Sequence, residues 1–152
     1  EGGWLPAAFY TRLGGLMVTK QNSAAQRPLP AEQTGPGALA VQIARLMADR
    51  HCREVLVLDL RGHSPVTDFY VIATGTSDRQ MRAIADEIAH EGAKVGSRVW
   101  HVAGLDSATW ILLDFVDVVA HLFAEGVRHH YDLEMLWGDV PRVEWSRPAG
   151  EH

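Results

Sequence analysis

Asp114 and Asp117 stand three residues apart within an apolar stretch, Ala108 to Phe123. Paired carboxylates can hold divalent metals for phosphoryl transfer. Carboxylates on one strand share an ion from positions i and i+2, where both side chains point the same way. A separation of three across a turn fits turn or cap residues better. Thr74-Gly75-Thr76-Ser77 falls at a strand-to-helix turn, where amides and the helix dipole could hold a phosphate. It has one glycine and no following Lys-Ser or Lys-Thr, so it is neither a P-loop nor a dinucleotide fingerprint. Its simpler reading is a capped helix start, with Ser77 capping the amide of Gln80 and Gln80 reaching back. Of the eight histidines, His121, His129 and His130 invite a metal reading. On a helix, however, His129 and His130 diverge by about 100°, and no ligand pair at i, i+4 accompanies them. Cys52 follows His51 at the end of an expected helix, where the dipole disfavours a thiolate. No nucleophile elbow is present. These patterns call for no cofactor and no metal, and the chain is not expected to be an enzyme.

The elements that must position these residues can be read from periodicity. Ala108 to Phe123 reads as two strands joined by a turn at Phe115 to Asp117. Alternation places Ile111 and Leu113 on one face, and Trp110, Leu112 and Asp114 on the other. In the second strand Val118, Ala120 and Leu122 oppose Val119, His121 and Phe123. The plain face predicts core. The mixed face, carrying Trp110, Asp114 and His121, predicts a surface that meets a partner, with Trp110 as its anchor. Tyr131 adds to that signal, whereas Trp137 reads as core.

Gly37 to Arg50 carries Leu39, Ile43, Leu46 and Met47 at helical spacing. Glu54 to Asp59 and Thr67 to Thr74 read as strands flanking an Arg61 to Pro65 turn. A second helix starts at Ser77 and buries Met81, Ile84, Ala85 and Ile88, and Arg98 to Val102 predicts a third short strand. A last helix is expected over Glu125 to Trp137, and Trp145, in a polar tail, is expected to dock on the body. The result is an α+β (mixed α/β) protein: a five-stranded sheet with antiparallel neighbours, helices banked on one side and the other face free. Residues 1–36, rich in Gly, Pro, Ser and Gln, predict a low-order extension with a faint likeness to a transit peptide. The folded domain is expected over 37–140, and 141–152 form a tail.

A chain of 152 residues with 47% hydrophobic and 22% charged residues fits one soluble domain. A net charge of -5 argues against direct nucleic-acid readout. Val99 to Val127 contains no Lys or Arg but includes Asp106, Asp114, Asp117 and Glu125, a pattern that favours a basic protein partner. One cysteine excludes an internal disulfide and fits a reducing, cytoplasmic setting. No run is long enough to cross a bilayer.

Several segments stand in a distinctive order and spacing. They are Val57-Leu58-Asp59-Leu60-Arg61-Gly62, Ser64, and Thr67-Asp68-Phe69-Tyr70-Val71-Ile72-Ala73-Thr74-Gly75-Thr76-Ser77-Asp78-Arg79-Gln80. Ala83-Ile84-Ala85-Asp86, Trp110-Ile111-Leu112-Leu113-Asp114, Asp117-Val118-Val119 and His121-Leu122-Phe123 follow. Arg128, Tyr131-Asp132-Leu133-Glu134 and Leu136-Trp137 complete the series. From Gly37 to Asp139 the chain resembles the Iojap-type ribosomal silencing factors. The resemblance implies a fold similar to the nucleotidyltransferase superfamily without its catalytic signature. It implies a cytoplasmic factor that binds the large ribosomal subunit through ribosomal protein L-fourteen, blocks joining of the small subunit and accompanies large-subunit assembly. It places the binding face at Trp110, Asp114, His121 and Tyr131, with Asp68 and Glu134 contributing. Two positions depart from the family pattern: Ala103 stands where Glu is common, and Val116 where Gly is common. Val116 would be strained if that turn needs a positive φ. An exposed sheet face would also let the chain form a homodimer off the ribosome. The rival reading is a metal-dependent nucleotidyl or phosphoryl transferase working from Asp114 and Asp117.

Overall fold

Two helices, each with one apolar stripe, bank against a sheet that is buried on both faces. The computed structural model describes residues 35–149, apart from the side chains of Leu133 and Glu134. Residues 1–34, most of the expected extension, lie outside the described residues, whereas Gly35 and Pro36 already belong to the first helix. In chain order the elements are α1 (Gly35–Asp49), β1 (Arg53–Asp59), β2 (Phe69–Thr74) and α2 (Asp78–Lys94). There follow β3 (His101–Ala103), β4 (Trp110–Asp114), β5 (Val118–Phe123), α3 (Arg128–Tyr131) and α4 (Leu133–Leu136). The sheet order is β1-β2-β5-β4-β3, and β2 with β5 is its one parallel pair among the described residues.

The helices form where their stripes require. α1 buries Leu39, Ile43 and Met47, and α2 buries Met81, Ile84 and Ile88. Ser77 caps α2, its hydroxyl accepting from the Gln80 amide at 3.1 Å, and Gln80 Oε1 accepts from the Thr76 amide at 2.7 Å. The reciprocal bond therefore reaches one residue further back than the usual capping box. These helices cover one sheet face, where Val57, Val71, Ile111, Leu113, Ala120 and Leu122 join their stripes in a first core.

The other face is not free, which corrects the expectation of helices on one side only. Leu58, Tyr70, Ile72, Trp110, Leu112, Val119 and Phe123 form a second core with Trp137 and Val140. Its cover is α3, α4 and the turn that follows them. The single helix expected over Glu125 to Trp137 is split at Asp132, which adopts φ 47 and ψ 52 and ends α3 in a left-handed cap.

β1 and β2 pair antiparallel with an interruption between Arg53 and Leu56, where Glu54 takes φ 53. Two residues there oppose one, so this is a β-bulge. The β4–β5 turn places Val116 at φ 77, leaving its side chain 44% exposed. A β-branched residue in that region is strained by about 1–2 kcal/mol. Val116→Gly is therefore expected to raise folding stability by about 1 kcal/mol, part of the relief being offset by glycine's chain entropy. A urea midpoint unchanged or lowered in that variant would refute the strain.

Candidate functional site

The residues expected on one binding face separate into a buried aromatic group, two carboxylate positions at the far end of the sheet, and a covering helix. β4 and β5 pair Trp110 with Phe123 and Leu112 with His121, which puts Trp110, His121 and Phe123 side by side on the second face. The Trp110 indole N–H donates to His121 Nδ1 at 3.0 Å. Tyr70 reaches the same imidazole edge-on at 4.5 Å between centroids, and the Tyr131 ring lies 4.3 Å from that of Trp110. Because Nδ1 accepts, the neutral ring carries its proton on Nε2. Burial pushes the His121 pKa down to about 3.

Trp110, Asp114 and His121 are 1%, 2% and 0% exposed, so none of them forms a surface in this fold. The reading of Trp110 as an exposed anchor is corrected: α3, α4 and Trp137 close over it. Tyr131 is half-buried and is the side chain through which this group approaches the surface. Asp114 does turn chemistry, its Oδ1 accepting from the Val116 amide at 2.7 Å. Asp117 is exposed, and its carbonyl accepts from the amides of Asp68 and Phe69 at 2.9 and 3.0 Å. Asp68 and Asp114 thus sit at the end of the sheet where β2 begins, and Tyr131 sits at the end where β5 finishes. Glu134 lies in α4, and its side chain is outside those described. Met135 beside it is 77% exposed, the most open of the large apolar side chains described.

The transferase reading loses its carboxylate pair in this geometry. Asp114 is turned into the β4–β5 turn while Asp117 faces solvent. Among the described residues no cluster of three or more His, Cys, Asp or Glu could hold a metal. The Thr76 and Gln80 amides that might cradle a phosphate are taken by side chains of their own turn. Gly75 has a packing reason to be glycine, since a Cβ there would lie 2.3 Å from Met81 Cγ. Cys52 is buried, and burial pushes its thiol up to about 11. No described helix is long and apolar enough to cross a membrane.

Arg128 had no role in the residue-level reading. It is 4% exposed, and its Nη1 donates to Glu54 O at 2.6 Å and to Thr74 Oγ1 at 3.1 Å. It thereby ties the start of α3 to the β1 bulge and the end of β2, fixing where Tyr131 emerges three residues later. Besides its place among the segments that carry the family resemblance, its sequence signal was an arginine just after a long stretch without basic residues.

The mixed sheet with its second face closed by short helices defines an α+β class with solved members. A crystal structure of a protein from Chromobacterium violaceum superposes with TM-score 0.66 at 25% identity, covering 78% of this chain and 98% of the other. The family model described as "Ribosomal silencing factor during starvation" matches residues 33–151. The chain belongs to this ribosomal silencing factor family. It is 43% identical over 96 residues to ribosomal silencing factor RsfS of Bacillus subtilis, covering 63% of this chain and 81% of that protein. It is 28% identical over 114 residues to the mouse protein named for mitochondrial assembly of the large ribosomal subunit, covering 73% of this chain and 50% of that one.

Proposed function

We propose that this chain is a translational silencing factor of the cytoplasm that works by occupying a surface, without a chemical step. It binds the large ribosomal subunit through ribosomal protein L-fourteen and stands where the small subunit would join. The same attachment links it to assembly of the large subunit. The observation that carries this reading is the family match across residues 33–151, which includes every site residue named above. The exposed acids of this stretch support it: Asp106 and Asp117 face solvent, and such groups steer toward a basic protein and away from bare phosphate.

In this reading Tyr131, Asp68 and Glu134 make contacts. Trp110 and His121 support Tyr131 from behind, and Asp114 holds the turn beside Asp68. An interface of about 800 Å² per partner suffices for stable attachment. Co-sedimentation with separated subunits tests the reading. Binding to the large subunit alone is expected, weakened about tenfold or more by Tyr131→Ala, which corresponds to about 1.4 kcal/mol or more. Equal binding to both subunits, or to neither, would remove the occlusion mechanism. Binding unaffected by Tyr131→Ala would move the contact face elsewhere.

A further inference from the structure

The two parallel strands send their chains to opposite faces of the sheet. From the end of β2 the chain turns into α2, which packs on the first core, and from the end of β5 it turns into α3, which lies over the second. They part just beyond the Gly75 amide, which donates to Phe123 O at 2.8 Å. Open sheets take their ligands in the crevice outside the carboxyl ends of parallel strands at such a parting. A crevice of about 510 Å³ lies here, within the size range of small-molecule sites. Its floor is Thr74 and Arg128, both nearly buried, and its rim carries Arg53, Glu54, Glu125 and His129, all exposed. The β1 bulge shapes one wall: Glu54, at φ 53, stands where the ladder is interrupted, and its Oε1 accepts from Thr74 Oγ1 at 3.3 Å. Bulges re-aim side chains beside sites, and a non-glycine residue held at positive φ points to one. Gly126 keeps the opposite wall clear, since a Cβ there would meet nothing within 4 Å.

Charge selects the ligand. Two guanidinium groups and two carboxylates line the crevice, so a phosphate would meet Glu54 and Glu125 as well as the arginines. Across the rim Arg53 Nη2 and Glu125 Oε1 lie 2.9 Å apart, with side chains 52% and 71% exposed, so this pair contributes little and opens readily. A molecule with a carboxylate and an ammonium on one carbon replaces that single ion pair by two. Thr74, Glu54 and His129 then offer its side chain polar surroundings. We infer that this crevice binds a free α-amino acid with a polar, uncharged side chain, its carboxylate on Arg53, its ammonium on Glu125 and its side chain toward Thr74. Arg53 belongs to β1, whereas Glu125 and His129 belong to the β5–α3 connection and to α3. The bound molecule therefore staples the segment that carries Tyr131 to the sheet.

Calorimetry and amide chemical shifts of the full chain with L-glutamine and L-serine test this. Saturation by at least one of them is expected with a Kd of about 1 mM or tighter, with shifts centred on the Thr74, Gly126 and His129 amides. The N-acetyl derivative, which lacks the ammonium, and the carboxamide, which lacks the carboxylate, are each expected to bind about tenfold or more weakly. Arg53→Gln and Glu125→Gln should weaken the parent amino acid by the same factor, and both side chains are exposed, so the fold is kept. The Asp132 amide donates to Arg128 O at 2.9 Å, and opening α3 dismantles the site. At ten times the Kd its exchange should therefore slow about tenfold. No saturation by either amino acid below about 10 mM, derivatives that bind as well as the parent, or inorganic phosphate producing the same shifts at equal affinity overturns the proposal. So does Asp132 exchange that binding leaves unchanged, because the ligand would then lie away from α3.

Discussion

Trp110→Ala is expected to cost about 3–5 kcal/mol of folding stability, the range for removing a fully buried large aromatic. The side chain is 1% exposed and touches the rings of Phe123 at 4.9 Å and Tyr131 at 4.3 Å. Its removal leaves a cavity under α3 and takes away the donor to His121 Nδ1. Against a total stability of about 5–15 kcal/mol for an ordinary domain, that is a large fraction. Trp110→Phe keeps most of the ring volume and loses the N–H, so about 1–2 kcal/mol is expected. Urea unfolding of both variants reads the difference. Any loss of ribosome binding by Trp110→Ala should then follow the fraction folded, or the loosened seat of Tyr131, and not the loss of a contact. A Trp110→Ala midpoint within about 1 kcal/mol of the unaltered chain would show that the aromatic group does not support this face.

Acid is expected to weaken the fold well before most carboxylates titrate, and His121 is the reason. Burial holds its pKa at about 3 in the folded chain, against about 6.5 when unfolded. Between those values the unfolded state binds one more proton than the native state. Its contribution to stability is therefore complete above about pH 6.5 and is lost as pH falls, by about 1.4 kcal/mol per unit. By about pH 3 the loss totals roughly 4–5 kcal/mol. Asp49, lowered by its hydrogen bond from Arg147, and Glu91, lowered by its hydrogen bond from Lys94, act in the same direction but in the lower carboxylate range. His121→Phe keeps the ring in place without a titrating group, so its stability should stay flatter between pH 6.5 and 4.5, whatever its level at neutral pH. Parallel curves for the two proteins across that interval would assign the acid sensitivity elsewhere.

The strands were legible because their side chains alternate. Ile111, Leu113, Val118, Ala120 and Leu122 all fall in the first core, and Trp110, Leu112, Val119 and Phe123 in the second, as alternation requires. What periodicity could not show was that the second face is covered. Its cover consists of two four-residue helices and a turn, too short to carry a helical repeat, and Asp132 interrupts them with a left-handed residue. A Trp, an Asp and a His on one sheet face therefore read as a surface when they are an interior. Burial reverses their roles: His121 Nδ1 takes up the Trp110 N–H, and Asp114 serves a backbone amide. Arg128 was named only among the resembling segments, and its tie was hidden for a related reason, since its partners, Glu54 O and Thr74 Oγ1, are distant in sequence. Val116 was the opposite case. Its departure from a family glycine pointed to a positive φ, and the turn has one.

The parallel pairing of β2 with β5 also sets a schedule for folding. The β1–β2 and β4–β5 hairpins are local, but joining them closes the long connection from Thr74 to Val118 before the contact is gained. A chain emerging from its N-terminus can assemble α1, β1, β2 and α2 while one side of β2 still lacks a neighbour. All six residues from Phe69 to Thr74 end up buried, so during that interval an apolar strand edge stands open to other chains. Arrival of the β4–β5 hairpin ends the exposure, and the rate at which it docks decides how much of the newly made protein escapes aggregation.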